Sequence, residues 1–122
     1  MKVIETTNAP GAIGPYSQGF VVNGFVYTSG QIPVNPQTGE IPDGILAQTE
    51  QSCKNVRAVL EAGGADMSRV FKTTCFLADM KDFAQFNEVY ARYFLSKPAR
   101  SCVAVKTLPK GVLCEIEAVA LL

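Results

Sequence analysis

The spacing of apolar and polar positions changes character along the chain, and the changes mark out its elements. Near the N-terminus the apolar residues come in short extended runs, so residues 2–5, 19–22 and 25–29 read as strands. The last two are joined by Asn23-Gly24, a dipeptide that tolerates the positive φ of a two-residue hairpin turn. Residues 30–44 carry Pro33, Pro36 and Pro42 with Asn35, Gly39 and Asp43, which predicts a long loop. A 3.6-residue period follows. Leu46, Cys53, Val56 and Leu60 recur on one helical face, Gln48, Glu50, Gln51, Lys54 and Arg57 fill the rest, and Gly63-Gly64 supplies the stop. Residues 70–77 read as a strand, and Asp79 as the N-cap of a second helix carrying an aromatic stripe of Phe83, Phe86, Tyr90, Tyr93 and Phe94. The stripe is taken as core, and Pro98 as the end of that helix. Residues 99–105 and 112–120 then read as the last two strands.

The order β-β-β-α-β-α-β-β predicts an α+β domain spanning residues 1–122, a mixed sheet with both helices packed on one face. In the last strand apolar residues occupy both parities, Leu113, Val119 and Leu121 on one side and Cys114, Ile116 and Ala118 on the other. A sheet wet on one face alternates more cleanly, so association of copies through the sheet is expected.

Composition narrows the chemistry. A chain of 122 residues buries roughly two thirds of its surface and needs no disulfide staples to fold. It contains no histidine, which excludes Ser-His-Asp and Cys-His nucleophile systems and the commonest zinc and iron sites. Eleven basic residues balance eleven acidic ones without a basic block, a poor footprint for nucleic acid. Neither a signal pattern nor an 18-residue apolar run occurs, so a cytoplasmic protein with no membrane partner is expected. Cys53, Cys75, Cys102 and Cys114 lack metal-ligand spacing and sit in apolar segments, where they read as reduced buried thiols.

Two charged residues stand inside apolar strands, Arg100 and Glu115. If the last two strands pair as a hairpin whose positions sum to 215, the two side chains face each other, with Cys102 and Glu117 on the same sheet face. Such a pair is either a structural ion pair or a working one, in which Arg100 grips a ligand carboxylate and Glu115 positions or deprotonates water. Spacing alone does not choose between them. The run Gly14-Pro15-Tyr16-Ser17-Gln18-Gly19 places a phenol in a stiff turn, and Thr28-Ser29-Gly30-Gln31 ends a strand with small residues and free amides.

Taken together, Ala12 to Gly19, Thr28-Ser29-Gly30-Gln31-Ile32-Pro33, Phe83 through Asn87 to Phe94, Pro98-Ala99-Arg100-Ser101-Cys102-Val103, Leu108-Pro109-Lys110 and Glu115-Ile116-Glu117 strongly resemble the RidA (YjgF) family over essentially the whole chain. The resemblance implies a chorismate-mutase-like fold, a homotrimer whose sheets face inward with ligand clefts between subunits, and hydrolysis of 2-iminobutanoate or 2-iminopropanoate to the 2-oxo acid and ammonia without cofactor or metal. It places Arg100 on the substrate carboxylate, Glu115 on the attacking water, and Tyr16, Ser29, Gly30, Asn87 and Cys102 along the cleft, the cysteine contributing through its backbone. Other readings left open are a regulatory or chaperone-like trimer that binds metabolites, and a ribonuclease or translation inhibitor. One departure is the short Leu95-Ser96-Lys97 segment, where many relatives carry an insertion that bears on substrate size.

Overall fold

The computed structural model describes all 122 residues and has eight principal elements. They are β1 (Lys2–Ile4), β2 (Gly19–Val22), β3 (Phe25–Thr28), α1 (Ile45–Ala62), β4 (Val70–Leu77), α2 (Phe83–Tyr93), β5 (Ala99–Ala104) and β6 (Cys114–Leu121). Asn23 and Gly24 take φ of 50° and 81°, the left-handed pair that folds β2 tightly onto β3. The loop of residues 30–44 is irregular, as its prolines require, apart from one bridge between Gln31 and Ile116.

The six strands form one mixed sheet in the order β1-β2-β3-β6-β4-β5, parallel between β4 and β5 and antiparallel elsewhere. Both helices cover the same face. On β6, Cys114, Ile116, Ala118 and Ala120 point beneath them, and Thr49 and Ser52 of α1 approach Cys114 while Tyr90 of α2 reaches Thr73. Val26, Val56, Val59, Leu60, Leu77, Phe86 and Ile116 are wholly buried there, each such side chain contributing about 1.5–3 kcal/mol.

The opposite face has no layer over it. Glu115, Glu117, Val119 and Leu121 alternate onto it from β6, and Val3, Tyr27, Val103 and Leu121 each remain more than 40% exposed. Val3, Phe20, Tyr27 and Val119 are laterally paired in a row across four strands. The two-sided apolar pattern of the last strand therefore reflects one face under helices and one apolar face left open.

Four expectations need correction. The last two strands do not form a hairpin, because β4 lies between them: Arg100 is in register with Thr73, and Glu115 with Phe76. Thr73 lies on the helix-covered face and Phe76 on the open one, so Arg100 and Glu115 do not face each other. Cys102 stays with Arg100 and Glu117 with Glu115. Leu46 is 43% exposed, and Ile45 takes its place in the core. Gln48, placed on the wet face, is buried: its Nε2 donates to Pro42 O and its Oε1 accepts from Leu113 N–H. Finally, Asp79 caps a 3-10 turn (Met80–Asp82) that leads into α2, and α2 ends at Tyr93, before Pro98.

Candidate active site

Arg100 stands on the edge strand β5, turned toward α2 by its register with Thr73. Its guanidinium carbon lies 4.7 Å from the Tyr90 ring centroid and 5.5 Å from that of Phe83, and Nη1 donates to Asn87 Oδ1 at 2.8 Å. Phe83, Asn87 and Tyr90 fall on one side of α2 because they are four and three residues apart. No carboxylate neutralises the cation, since the chain's one ion pair joins Arg92 to Glu88 at 3.6 Å. The purely structural pair with Glu115 is therefore absent. One of five guanidinium N–H donors is taken within the chain, and the group opens onto a cavity of about 380 Å³ between α2 and the turn after it.

Tyr90 gives this cation a rigid floor. Its hydroxyl hydrogen-bonds Thr73 Oγ1 at 2.7 Å, its ring stacks on Phe94 at 4.3 Å, and burial pushes its phenol up to about 12, so it stays neutral. Cation–π contact of this kind attracts the guanidinium to the ring face without consuming its donors. Cys102 shares this face, in register with Cys75, and is half-buried. Burial raises its thiol pKa while Arg100 pulls it down, and the net direction is up.

Glu115 is positioned differently. After the Tyr27–Val119 pair, β3 continues into a bridge in which Gln31 N–H donates to Ile116 O at 2.8 Å and Ile116 N–H to Gln31 O at 3.2 Å. Thr28, Ser29 and Gly30 thus stand opposite only Glu117 and Ala118, a bulge in which Thr28 Oγ1 accepts the Ala118 N–H at 3.0 Å. The bulge presses the Gly30 backbone against the Glu115 carboxylate. A Cβ on Gly30 would overlap Glu115 Oε2 and stand 2.9 Å from Cδ. Burial raises the Glu115 pKa above the ordinary carboxylate value, and the nearby charge of Glu117 adds to the shift.

Ser29 ties the Tyr16 turn to this place. Its N–H donates to Gln18 O at 2.8 Å and its hydroxyl to Ser17 O. Buried Gln18 in turn donates to Thr6 O, Ala9 O and Pro10 O, fixing the N-terminal segment as a wall. Tyr16, Gly30, Gln31 and Lys110 line a cleft of about 230 Å³.

The residues singled out from sequence thus fall into two groups. Arg100, Asn87 and Cys102 lie under α2, while Glu115, Gly30, Ser29 and Tyr16 gather around the β3 bulge. Phe83 and Tyr90 were assigned only to the core, yet they carry the guanidinium. Gln31 and Lys110 stood within the quoted motifs but were given no site role. The signal for Tyr90 was its three-residue spacing from Asn87; nothing in the sequence marked Lys110 as a cleft residue.

Known proteins are similar to this chain over nearly its whole length. The family described as Endoribonuclease L-PSP matches residues 6–122. A 2-iminobutanoate/2-iminopropanoate deaminase of Escherichia coli is 51% identical over 123 residues, covering 98% of this chain and 96% of the relative. A protein of Lactococcus lactis named as a regulator, AldR, is 54% identical over 122 residues, covering 98% and 97%. The crystal structure of E. coli TdcF with bound serine superposes with a TM-score of 0.97 at 50% identity, covering 100% of this chain and 99% of the other.

Proposed function

This chain belongs to the RidA (YjgF) family, and from that premise we propose that it hydrolyses small 2-imino acids, of the 2-iminobutanoate and 2-iminopropanoate class, to 2-oxo acids and ammonia. One observation carries the reading: a guanidinium with no acidic partner, lying over the Tyr90 ring and hydrogen-bonded to Asn87, faces a cavity with most of its donors free. That is a carboxylate receptor, and planar two-point contact suits arginine better than lysine.

The chemistry asks little more of the protein. A 2-imino acid is already electrophilic at C2. Water adds there as Glu115 takes its proton and passes it to the imine nitrogen, and the tetrahedral aminol then collapses, its hydroxyl proton moving by the same carboxylate to the nitrogen that leaves as ammonia, to give the 2-oxo acid. A carboxylate whose pKa is raised by burial is a stronger base than a solvated one. Gly30 fixes the carboxylate by leaving room for it, and Tyr16 closes the cleft beside it. The family resemblance gives Cys102 a role through its backbone, in keeping with a thiol whose pKa burial raises.

Arg100 and Glu115 lie on opposite faces of the sheet, so a ligand of a few heavy atoms does not meet both within one protomer. Completion of the site calls for a second copy. The apolar open face bearing Val3, Tyr27 and Leu121 is the surface such a copy would cover, and in a closed ring of head-to-tail contacts unlike surfaces meet at every interface. The reading is therefore a homotrimer with clefts between subunits, Arg100 from one and Glu115 from its neighbour. The test is release of 2-oxobutanoate from enzymatically generated 2-iminobutanoate in competition with a scavenger. Acceleration by wild type and none by Arg100→Ala supports the reading; equal rates with both remove it.

A further inference from the structure

The turn that follows α2 is short and pinned at both ends. Lys97 N–H donates to Phe94 O at 3.1 Å, Ser96 Oγ donates to Val70 O at 2.7 Å, and Lys97 adopts a left-handed φ of 51°. Held in this way, the turn presents Leu95 outward, 77% exposed, on the wall of the cavity that Arg100 and Asn87 also line. A leucine kept in water by a rigid turn has apolar surface to be covered by whatever enters. Ala91, Phe94 and Pro98 continue the same wall. The cavity thus has a guanidinium and an amide on one part of its lining, a largely apolar wall elsewhere, and Lys97 and Arg100 as its charged members. That layout accepts a carboxylate bearing an apolar tail and disfavours a cationic one.

We propose that Leu95 is a specificity-determining residue: while Arg100 holds the carboxylate, the Leu95 turn receives the side chain and favours 2-imino acids with longer apolar side chains over the smallest member of the class. The inference rests on the carboxylate role given to Arg100 above. It goes beyond that role in assigning the chain-length preference to one residue of a turn that carries no part of the chemistry.

Product-like 2-oxo acids provide the test, because binding is read apart from turnover. Pyruvate, 2-oxobutanoate, 2-oxopentanoate and 2-oxohexanoate are titrated calorimetrically into wild type, Leu95→Ala and Leu95→Asp, with turnover of the matching imines measured in parallel. Wild type is expected to gain about fourfold in affinity per added methylene, the equivalent of ~0.8 kcal/mol. Leu95→Ala is expected to flatten this slope and Leu95→Asp to abolish it, with pyruvate affinity within about twofold of wild type in both. An unchanged slope in Leu95→Asp, or an equal loss for every acid including pyruvate, overturns the assignment. A Leu95-dependent slope without any imine turnover removes the hydrolytic reading and upholds the assignment, and failure of the folded wild type to bind any 2-oxo acid overturns both.

Discussion

Arg100 and Glu115 occupy opposite faces of one sheet, Arg100 in register with Thr73 beneath α2 and Glu115 in register with Phe76 on the uncovered side. The consequence is that each residue is held by its own local device. The guanidinium is held by an aromatic floor and an amide, and the carboxylate by a bulge and a missing side chain.

The bulge makes Gly30 a sensitive position for activity and a tolerant one for the fold. A methyl there overlaps only the mobile end of Glu115, which can swing away. Gly30→Ala is expected to lower kcat at least tenfold while changing stability by less than about 1 kcal/mol, since no buried backbone is disturbed. Steady-state kinetics beside urea denaturation checks it; a loss of stability in proportion to activity contradicts it.

Charge alone does not satisfy the Arg100 site. Arg100→Lys keeps the cation but loses the guanidinium packing over Tyr90 and the proposed two-pronged grip on a carboxylate. It is expected to lower kcat/KM by about two orders of magnitude, the cost of roughly 3 kcal/mol in charge-assisted hydrogen bonding. Asn87→Ala, which frees the guanidinium without removing it, is expected to cost less. Equal activity of Arg100→Lys and wild type contradicts the carboxylate role.

The raised pKa of Glu115 gives a pH signature with a definite sign. Activity is expected to fall on acidification through an apparent pKa above that of an ordinary glutamate, and Glu117→Gln to move this limb to lower pH by removing the second cause of the shift. For stability the sign is opposite to that of a salt-bridged acid. The folded state binds the proton more tightly than the unfolded one, so stability falls as pH rises from the unfolded pKa through the folded one. Glu115→Gln is therefore expected to be inactive yet more heat-stable than wild type at pH 7, and to lose that advantage below the unfolded carboxylate pKa. Differential scanning calorimetry at the two pH values decides the point.

All four thiols are shifted upward by burial, Cys75 to about 12 and Cys114 to about 11. Native protein is expected to react slowly with a disulfide reagent at pH 7, and half-buried Cys102 first. Cys102→Ser is expected to retain most of kcat/KM, because the proposed mechanism gives the thiol no part. Loss of turnover on that substitution, with the fold intact, contradicts this.

Much of the architecture was legible from periodicity. Val70–Leu77 carries β-branched and aromatic residues between turn signals, and Asn23-Gly24 has one common use. The strand order was not legible, because a hairpin of the last two strands satisfies the same hydrophobic pattern as β4 inserted between them. That difference decides whether Arg100 and Glu115 meet. Leu46 and Gln48 were misplaced because hydrophobicity ranks leucine inside. Here Gln48 satisfies both ends of its amide in the interior, and Ile45 fills the space. Arg100 and Glu115 themselves were visible as charges within apolar strands, whereas the bulge that sets Gly30 against Glu115 depends on a bridge eighty-five positions apart in sequence, which no local pattern encodes.

The split of the site between faces is tested most directly by complementation. Arg100→Ala and Glu115→Gln, each inactive alone, are unfolded together, refolded as an equal mixture, and assayed for 2-iminobutanoate hydrolysis. If each cleft takes Arg100 from one subunit and Glu115 from its neighbour, random assembly restores about a quarter of wild-type activity. A mixture as inactive as its components contradicts the shared cleft and returns both residues to a single protomer.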